Sequence, residues 1–199
     1  WFPLLIGVIM FTLMTTWKDG RSELARRIAS STLPMELFLE DVARRAPPRV
    51  PGTAVFMAAS TTGTPPALLH HIKHNKMLHE QVVLLSILSA EVPSVTSEDR
   101  VTLRELGHGF YQLIASYGFM ETPNVPELMR RAYRQGLTTD PANTSYYLGR
   151  ETLLTSGRSR MMRWRKELFS FISKNSRSPT AYFDIPPGRV VELGMQVDL

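Results

Sequence analysis

Apolar residues fill the first part of the chain without a break, and shorter apolar blocks follow. Positions 1–17, WFPLLIGVIMFTLMTTW, contain no charged side chain, and charge returns at once with Lys18, Asp19 and Arg21. A helix over the run rises about 25 Å, near the lower limit for a hydrocarbon core of roughly 30 Å. Because no polar face interrupts it, the run favours the end of a membrane-spanning helix over a buried core helix.

Basic residues after the run predict its orientation. Lys18, Arg21, Arg26 and Arg27 lie in the short window where Lys and Arg keep a flank on the inner side, so we expect residues 18–199 to be cytoplasmic. A secretory signal has its basic residues before the apolar segment, which is the reverse order. A chain that opens on Trp within an apolar run is expected to be a piece of a longer polypeptide.

Two amphipathic helices are predicted between Arg21 and Arg45, the second starting near Pro34. Its apolar stripe has helical spacing and consists of Met35, Phe38, Leu39 and Val42. The proline-rich residues 46–51 cannot continue a helix, so they predict a linker.

The remaining pattern predicts a mixed sheet. Strands are expected at 52–60 and 80–88 with a helix at 65–75 between them, which is a parallel crossover. A hairpin is expected at 100–119, a helix at 125–135, strands at 144–154 and 189–199, and a basic helix at 158–174. The apolar stripe of that basic helix is expected to pack on the sheet and consists of Met161, Trp164, Leu168 and Ile172.

The predicted fold class is therefore α/β: one transmembrane helix segment, amphipathic linking helices, then a mixed β-sheet domain covered by helices. We divide the chain into the end of a transmembrane helix at 1–17, juxtamembrane helices and linker at 18–51, and a cytosolic domain at 52–199.

The composition of the chain indicates what kind of partner its surface suits. The 199 residues are 43% hydrophobic and carry a net charge of +5, which suits a surface beside anionic lipid. Nucleic acid is not expected as a partner, because no recognition-helix, zinc-finger or aromatic-basic sheet motif is present.

One turn is a candidate phosphate or nucleotide site. Ser60, Thr61, Thr62, Gly63 and Thr64 follow a predicted strand and precede a predicted helix. Free backbone N–H groups and hydroxyls at such a place can hold a phosphate. The signal is weak, because Ser, Thr and Gly also serve simply to turn the chain and cap a helix.

No other constellation predicts chemistry. His70, His71, His74 and His79 are close in sequence, but lysines are interleaved and cysteine is absent, so a solvated helix face is favoured over a metal site, with a smaller share for pH sensing. No G-x-S-x-G elbow occurs. We therefore expect no catalytic residue, no bound metal, no cofactor and no enzyme activity.

Several segments together carry a family resemblance. They are WFPLLIGVIMFTLMTTWK, PGTAVFMA, PPALLHHIKHNKMLHEQVVLLSI, GFYQLIASYGFMETPNVP, TSYYLGRET and VVELGMQVDL. With them the chain resembles the C-terminal part of potassium uptake permeases of the KUP/HAK/KT family. His71, where the family more often has Asn, and the turn STTGTPP depart from the pattern.

The resemblance implies a function and a location. Such permeases have about twelve membrane spans before a cytosolic domain, so the protein is expected to be multi-pass in the cell inner membrane and to move K⁺ inward, together with H⁺ in bacterial members. The ions bind in the membrane core, so no residue of this chain is assigned to them. Expected partners are the lipid bilayer, the rest of the transporter, a second copy in a homodimer and a regulatory nucleotide.

Two alternatives remain open. The first is a membrane-anchored nucleotide- or phosphate-binding regulatory module of another protein, with the turn at 60–64 as its site. The second, with less support, is a membrane-anchored hydrolase.

Overall fold

The computed structural model describes residues 1–30, 32–138, 140–157 and 161–198. Its helices are α1 (Phe2–Ser30), α2 (Met35–Arg45), α3 (Pro66–Asn75), α4 (Val125–Arg134), α5 (Arg163–Lys174) and α6 (Pro179–Tyr182). Its strands are β1 (Arg49–Ala58), β2 (Leu78–Ala90), β3 (Val101–Gly107), β4 (Phe110–Gly118), β5 (Thr144–Leu154) and β6 (Val190–Asp198). Short 3₁₀ turns precede β5 and β6.

One six-stranded mixed sheet has the order β3-β4-β2-β1-β5-β6. Strand β1 is parallel to β2 and to β5, and β4 is parallel to β2. Strand β3 pairs antiparallel with β4. The predicted α/β class, the β1-α3-β2 crossover and the hairpin are all confirmed.

Helices cover both faces of the sheet's centre, and side chains of β1 alternate between the two layers. Val55 packs with Leu128 of α4 in one apolar cluster. Phe56 packs with Phe38 of α2 and Leu68 of α3 in the other. This alternation follows from the period of two along a strand, and it explains why the central strands are apolar on both faces.

Strand β1 begins inside the predicted linker, at Arg49 rather than at Gly52. An extra residue bulges out between Val50 and Thr53, where the register with β2 shifts. Pro51 has no N–H to donate, and it is tolerated there because the ladder is already interrupted. The expectation that 46–51 is entirely linker was therefore wrong.

The chain forms two compact units. One comprises Trp1–Ser31, Arg150–Arg177 and Gly194–Leu199, and the other comprises Thr32–Gly149 and Ser178–Leu193. Helix α1 runs on past Trp17 to Ser30 without a break. The predicted division of the chain between membrane and cytosol remains a prediction.

Candidate functional site

The predicted turn at 60–64 follows β1 near the middle of the sheet. Hydrogen bonds from two side chains to backbone carbonyl groups hold the first half of the turn in place. Ser86 donates from Oγ to the Ser60 carbonyl at 3.0 Å, and Gln112 donates from Nε2 to the Thr61 carbonyl at 2.7 Å. The hydroxyls of Ser60 and Thr62 lie 3.0 Å apart and bond to each other.

The second half of the turn is covered by the chain before α2. The Thr64 N–H donates to the Leu33 carbonyl at 2.9 Å, and Thr64 is fully buried. Gly63 has φ +80, and a Cβ there would lie 2.3 Å from Cγ2 of Thr32. Only the exposed side of the turn is therefore open to a ligand.

Two prolines limit the donors that helix α3 could offer to an anion. Pro65 caps the helix and Pro66 begins it, and neither has an N–H. The N–H groups of Leu68 and Leu69 both donate to the Pro65 carbonyl. In the first turn Ala67 is left with a backbone N–H, a small share of what phosphate-binding helix ends supply. Phosphate or nucleotide binding by Ser60, Thr61, Thr62, Gly63 and Thr64 stays a prediction.

The histidines separate into an inner and an outer pair. His71 is 3% exposed, and its ring lies edge-on to Tyr147 and Phe56 with centroid distances of 4.8 and 5.6 Å. The His79 ring lies 6.2 Å from the His71 ring, whereas His70 and His74 lie on the outer side of α3. The prediction of a uniformly solvated face was wrong for His71, because the apolar side of α3 turns it onto the sheet.

Burial sets the protonation of the inner pair. It lowers the pKa of His71, with a further lowering from the neighbouring His79, and it also lowers the pKa of His79. Nδ1 of His71 lies 3.0 Å from the Asn75 amide nitrogen. Across the described ranges no group of three or more His, Cys, Asp or Glu side chains is arranged to hold a metal ion.

A second constellation, which sequence reasoning missed, joins α5 to the end of the apolar part of α1. The Phe169 ring is fully buried, 5.6 Å from the Trp17 ring and directly over Gly20. A Cβ at Gly20 would lie 2.3 Å from that ring, so the absence of a side chain makes room for it. The predicted stripe of α5 was wrong in this respect, since Phe169 is at its buried centre and Trp164 is half exposed.

Arg165 completes this contact with its guanidinium group. It donates to the hydroxyl oxygens of Thr16 at 3.0 Å and Thr15 at 2.8 Å, and to a carboxylate oxygen of Asp19 at 3.0 Å. The three acceptors lie within one and a half turns of α1. Their only sequence signal was two threonines at the end of an apolar run.

The basic flank of α1 is partly neutralised within the helix. Glu23 is 8% exposed and accepts hydrogen bonds from both Arg26 and Arg27. The Arg21 guanidinium lies over the Trp17 ring, 5.9 Å from its centroid. These contacts order the start of the segment that follows the apolar run.

Helix α1 is long and apolar enough, by length and composition, to cross a membrane. Only 6% of its apolar window is buried. Trp1, Leu4, Phe11 and Met14 expose between 68% and 87% of their surfaces. A helix that exposes large apolar side chains on all sides has no counterpart in an ordinary soluble core.

Known proteins that are similar to this chain are described as potassium transport proteins. A family described as the K⁺ potassium transporter C-terminal domain matches residues 51–199. The "Probable potassium transport system protein Kup 2" of Syntrophobacter fumaroxidans is 63% identical over 197 residues, which are 99% of this chain and 31% of that protein. The corresponding protein of Myxococcus xanthus is 53% identical over all of this chain and 30% of its own length.

A Geobacter sulfurreducens relative, "Probable potassium transport system protein Kup 1", is 48% identical over all of this chain and 32% of its own length. The chain thus spans about a third of the length of these curated relatives. No solved structure matches it. Since the family match covers well over half of the chain, this protein belongs to the family of potassium transporter C-terminal domains.

Proposed function

We propose that this chain is the C-terminal part of a potassium uptake transporter, with α1 as its last membrane helix and residues 18–199 in the cytoplasm. Two matches carry the proposal: the whole chain aligns with about a third of the length of proteins named potassium transport systems, and residues 51–199 match the family described as the potassium transporter C-terminal domain. The transporter would be a multi-pass protein of the cell inner membrane that moves K⁺ inward together with H⁺.

Two features of α1 support the membrane assignment. Its apolar side chains are exposed from Trp1 to Met14, as expected of a helix whose neighbours are lipid and other membrane helices. Lys18 and Arg21 then follow directly, on the side that the positive-inside rule assigns to the cytoplasm.

The transport chemistry would lie in the preceding membrane helices. Broken helices near the bilayer midplane build the ion sites of such transporters, and their residues would hold K⁺ and H⁺. The chain's own role would be to stabilise, dimerise or regulate the transporter rather than to catalyse a reaction. The α5 contact at Thr15, Thr16 and Asp19 would attach part of the cytosolic segment to the inner end of the last span.

The alternative, a nucleotide- or phosphate-binding module of another protein, has less support. Its site would be the turn at 60–64, where Pro65 and Pro66 remove two helix N–H donors. Titration of the chain with adenine nucleotides tests it, and a rise in unfolding temperature with the expected saturation would favour it.

Potassium uptake by the full-length protein tests the main proposal. Cells that lack their own uptake systems would express either the full protein or a version that ends after Arg45. Immunoblots of the membrane fraction would separate loss of protein from loss of rate. We expect growth at low K⁺ with the full protein, and a lower amount or an altered rate with the shortened one. A full protein that reaches the membrane and supports no K⁺ uptake would refute the proposal.

The absence of cysteine from the chain allows a direct test of sidedness. Ser97 lies in an exposed loop, so a cysteine there, with any cysteines elsewhere in the protein replaced, provides one labelling position. A membrane-impermeant maleimide should label Ser97→Cys only after the cells are opened. Labelling of intact cells would place residues 18–199 outside and contradict the assignment.

A further inference from the structure

A cavity of about 630 Å³ lies beside helix α4, within the unit that contains the sheet's centre. Its walls come from α4, from the start of β5 and from the segment before β6. On α4 the lining residues Pro126, Met129, Arg130 and Tyr133 follow the spacing i, i+3, i+4, i+7, which places them on one helix face. A cavity of this size accommodates a small organic molecule.

The cavity lies away from the predicted turn. Thr144, which lines it, pairs with Thr53 near the start of β1, whereas Ser60 follows the end of that strand. Because β1 and β5 are parallel, the cavity and the turn are at opposite ends of these strands. A ligand in this cavity would therefore bind at a site separate from the turn at 60–64.

Charge in the cavity favours an anion. Arg130 and Arg189 both line it, and Arg189 is held by donation to the Ala142 carbonyl. Asp140 lines it too and offsets one of the two positive charges. A net charge of about +1 suits a compact organic anion better than a polyanion.

The phenol of Tyr146 adds a polar group. Tyr146 is 5% exposed and lines the cavity, and none of the described residues hydrogen bonds to its phenol oxygen. Burial raises the pKa of Tyr146, with an opposing effect from Arg189, so the phenol keeps its proton and can donate it. Its hydroxyl is therefore a third hydrogen-bond donor, beside Arg130 and Arg189, for an anion in the cavity.

We propose that this cavity binds a small organic anion with a flat apolar ring. Its phosphate or carboxylate would accept hydrogen bonds from Arg130, Arg189 and Tyr146. Its ring would lie against Tyr133 and Met129, because the exposed face of Tyr133 provides a stacking surface and Met129 an adaptable apolar one. Inorganic phosphate alone would leave most of the volume unfilled.

Calorimetric titration of the 199-residue chain in detergent micelles tests the proposal. The probes are phenyl phosphate, inorganic phosphate for the charge alone and phenol for the ring alone. We expect phenyl phosphate to bind at least about tenfold more tightly than either control, since each control lacks one of the two interactions. Equal binding of phenyl phosphate and inorganic phosphate, or no binding of phenyl phosphate, would overturn the proposal.

Matched variants locate the binding. Arg130→Gln and Arg189→Gln should each weaken phenyl phosphate binding about tenfold, and Tyr146→Phe about fivefold. Arg134→Gln makes the same charge change on α4 outside the cavity lining and should leave binding unchanged. Arg130 is exposed, so its variant should fold normally, which the unfolding temperature without probe would verify. An equal loss in Arg130→Gln and Arg134→Gln would place binding elsewhere.

Discussion

Replacement of Arg165 tests how α5 is held against α1. Its guanidinium group contacts three acceptors, the hydroxyls of Thr15 and Thr16 and the carboxylate of Asp19. The Arg165 side chain is 18% exposed, and Thr16 is fully buried. Arg165→Ala removes all of these bonds and leaves the Thr16 hydroxyl without this donor.

The expected cost follows from the exposure of each partner. A hydrogen bond from a charged donor to a buried hydroxyl such as Thr16 contributes about 1.5 kcal/mol, and the bond to the half-buried Thr15 hydroxyl contributes about 1 kcal/mol. The Asp19 side chain is 50% exposed, so its ion pair adds at most about 0.5 kcal/mol after solvent screening. The total of roughly 3 kcal/mol corresponds to about a 100-fold weaker docking of α5 on α1.

Hydrogen exchange of the α5 amides in micelles measures this docking. In Arg165→Ala these amides should exchange up to about 100-fold faster, since local opening of α5 controls their exchange. Arg163→Ala is the control, because the Arg163 side chain is 90% exposed. Its ion pair with the exposed carboxylate of Glu167 is long, at 3.6 Å, and contributes little. The same exchange rate in both variants would refute the argument that Arg165 fixes the helix.

Two further predictions concern the sheet unit. Burial lowers the pKa of His71 and His79, so below about pH 6.5 the unfolded chain takes up protons that the folded chain does not. The free energy of unfolding should therefore decrease as the pH is lowered, by up to about 1.4 kcal/mol per pH unit for each histidine. His71→Phe should remove about half of that fall in urea midpoints measured at pH 7.5 and 5.5, and an unchanged fall would contradict the assignment. Gly52→Ala should cost about 2 to 4 kcal/mol, because φ is +103 and the new Cβ would lie 2.6 Å from the Asn143 carbonyl oxygen. Gly136→Ala has φ +105 with no atom within 4 Å and should cost about 1 kcal/mol in the same assay, which isolates the clash.

Local patterns in the sequence were sufficient to predict most of the sheet. The segment containing Val82 to Leu85 is a continuous apolar run, and the structure buries it on both faces. Gly107 and Gly109 both adopt positive φ at the turn of the predicted hairpin. Such features depend on residues that are neighbours in sequence, so they can be predicted without knowledge of the fold.

Contacts between distant segments were not predictable in the same way. Arg165 and Thr15 are 150 residues apart, and neither residue type indicates the other. Tyr146, Arg130 and Arg189 meet at one cavity although they come from three separate segments. No local spacing records a contact of this kind, because the strand order of the sheet creates it.

The unbroken course of α1 has a mechanical consequence. About 20 Å of helix separates Trp17 from Ser30, with no proline to act as a hinge. If the first half of α1 lies in lipid, as proposed, and tilts by about 10°, the far end of the helix moves by roughly 3 Å. Arg165 and Phe169 contact α1 close to the point where the proposed span ends, so tilting of that span would reach α5 directly.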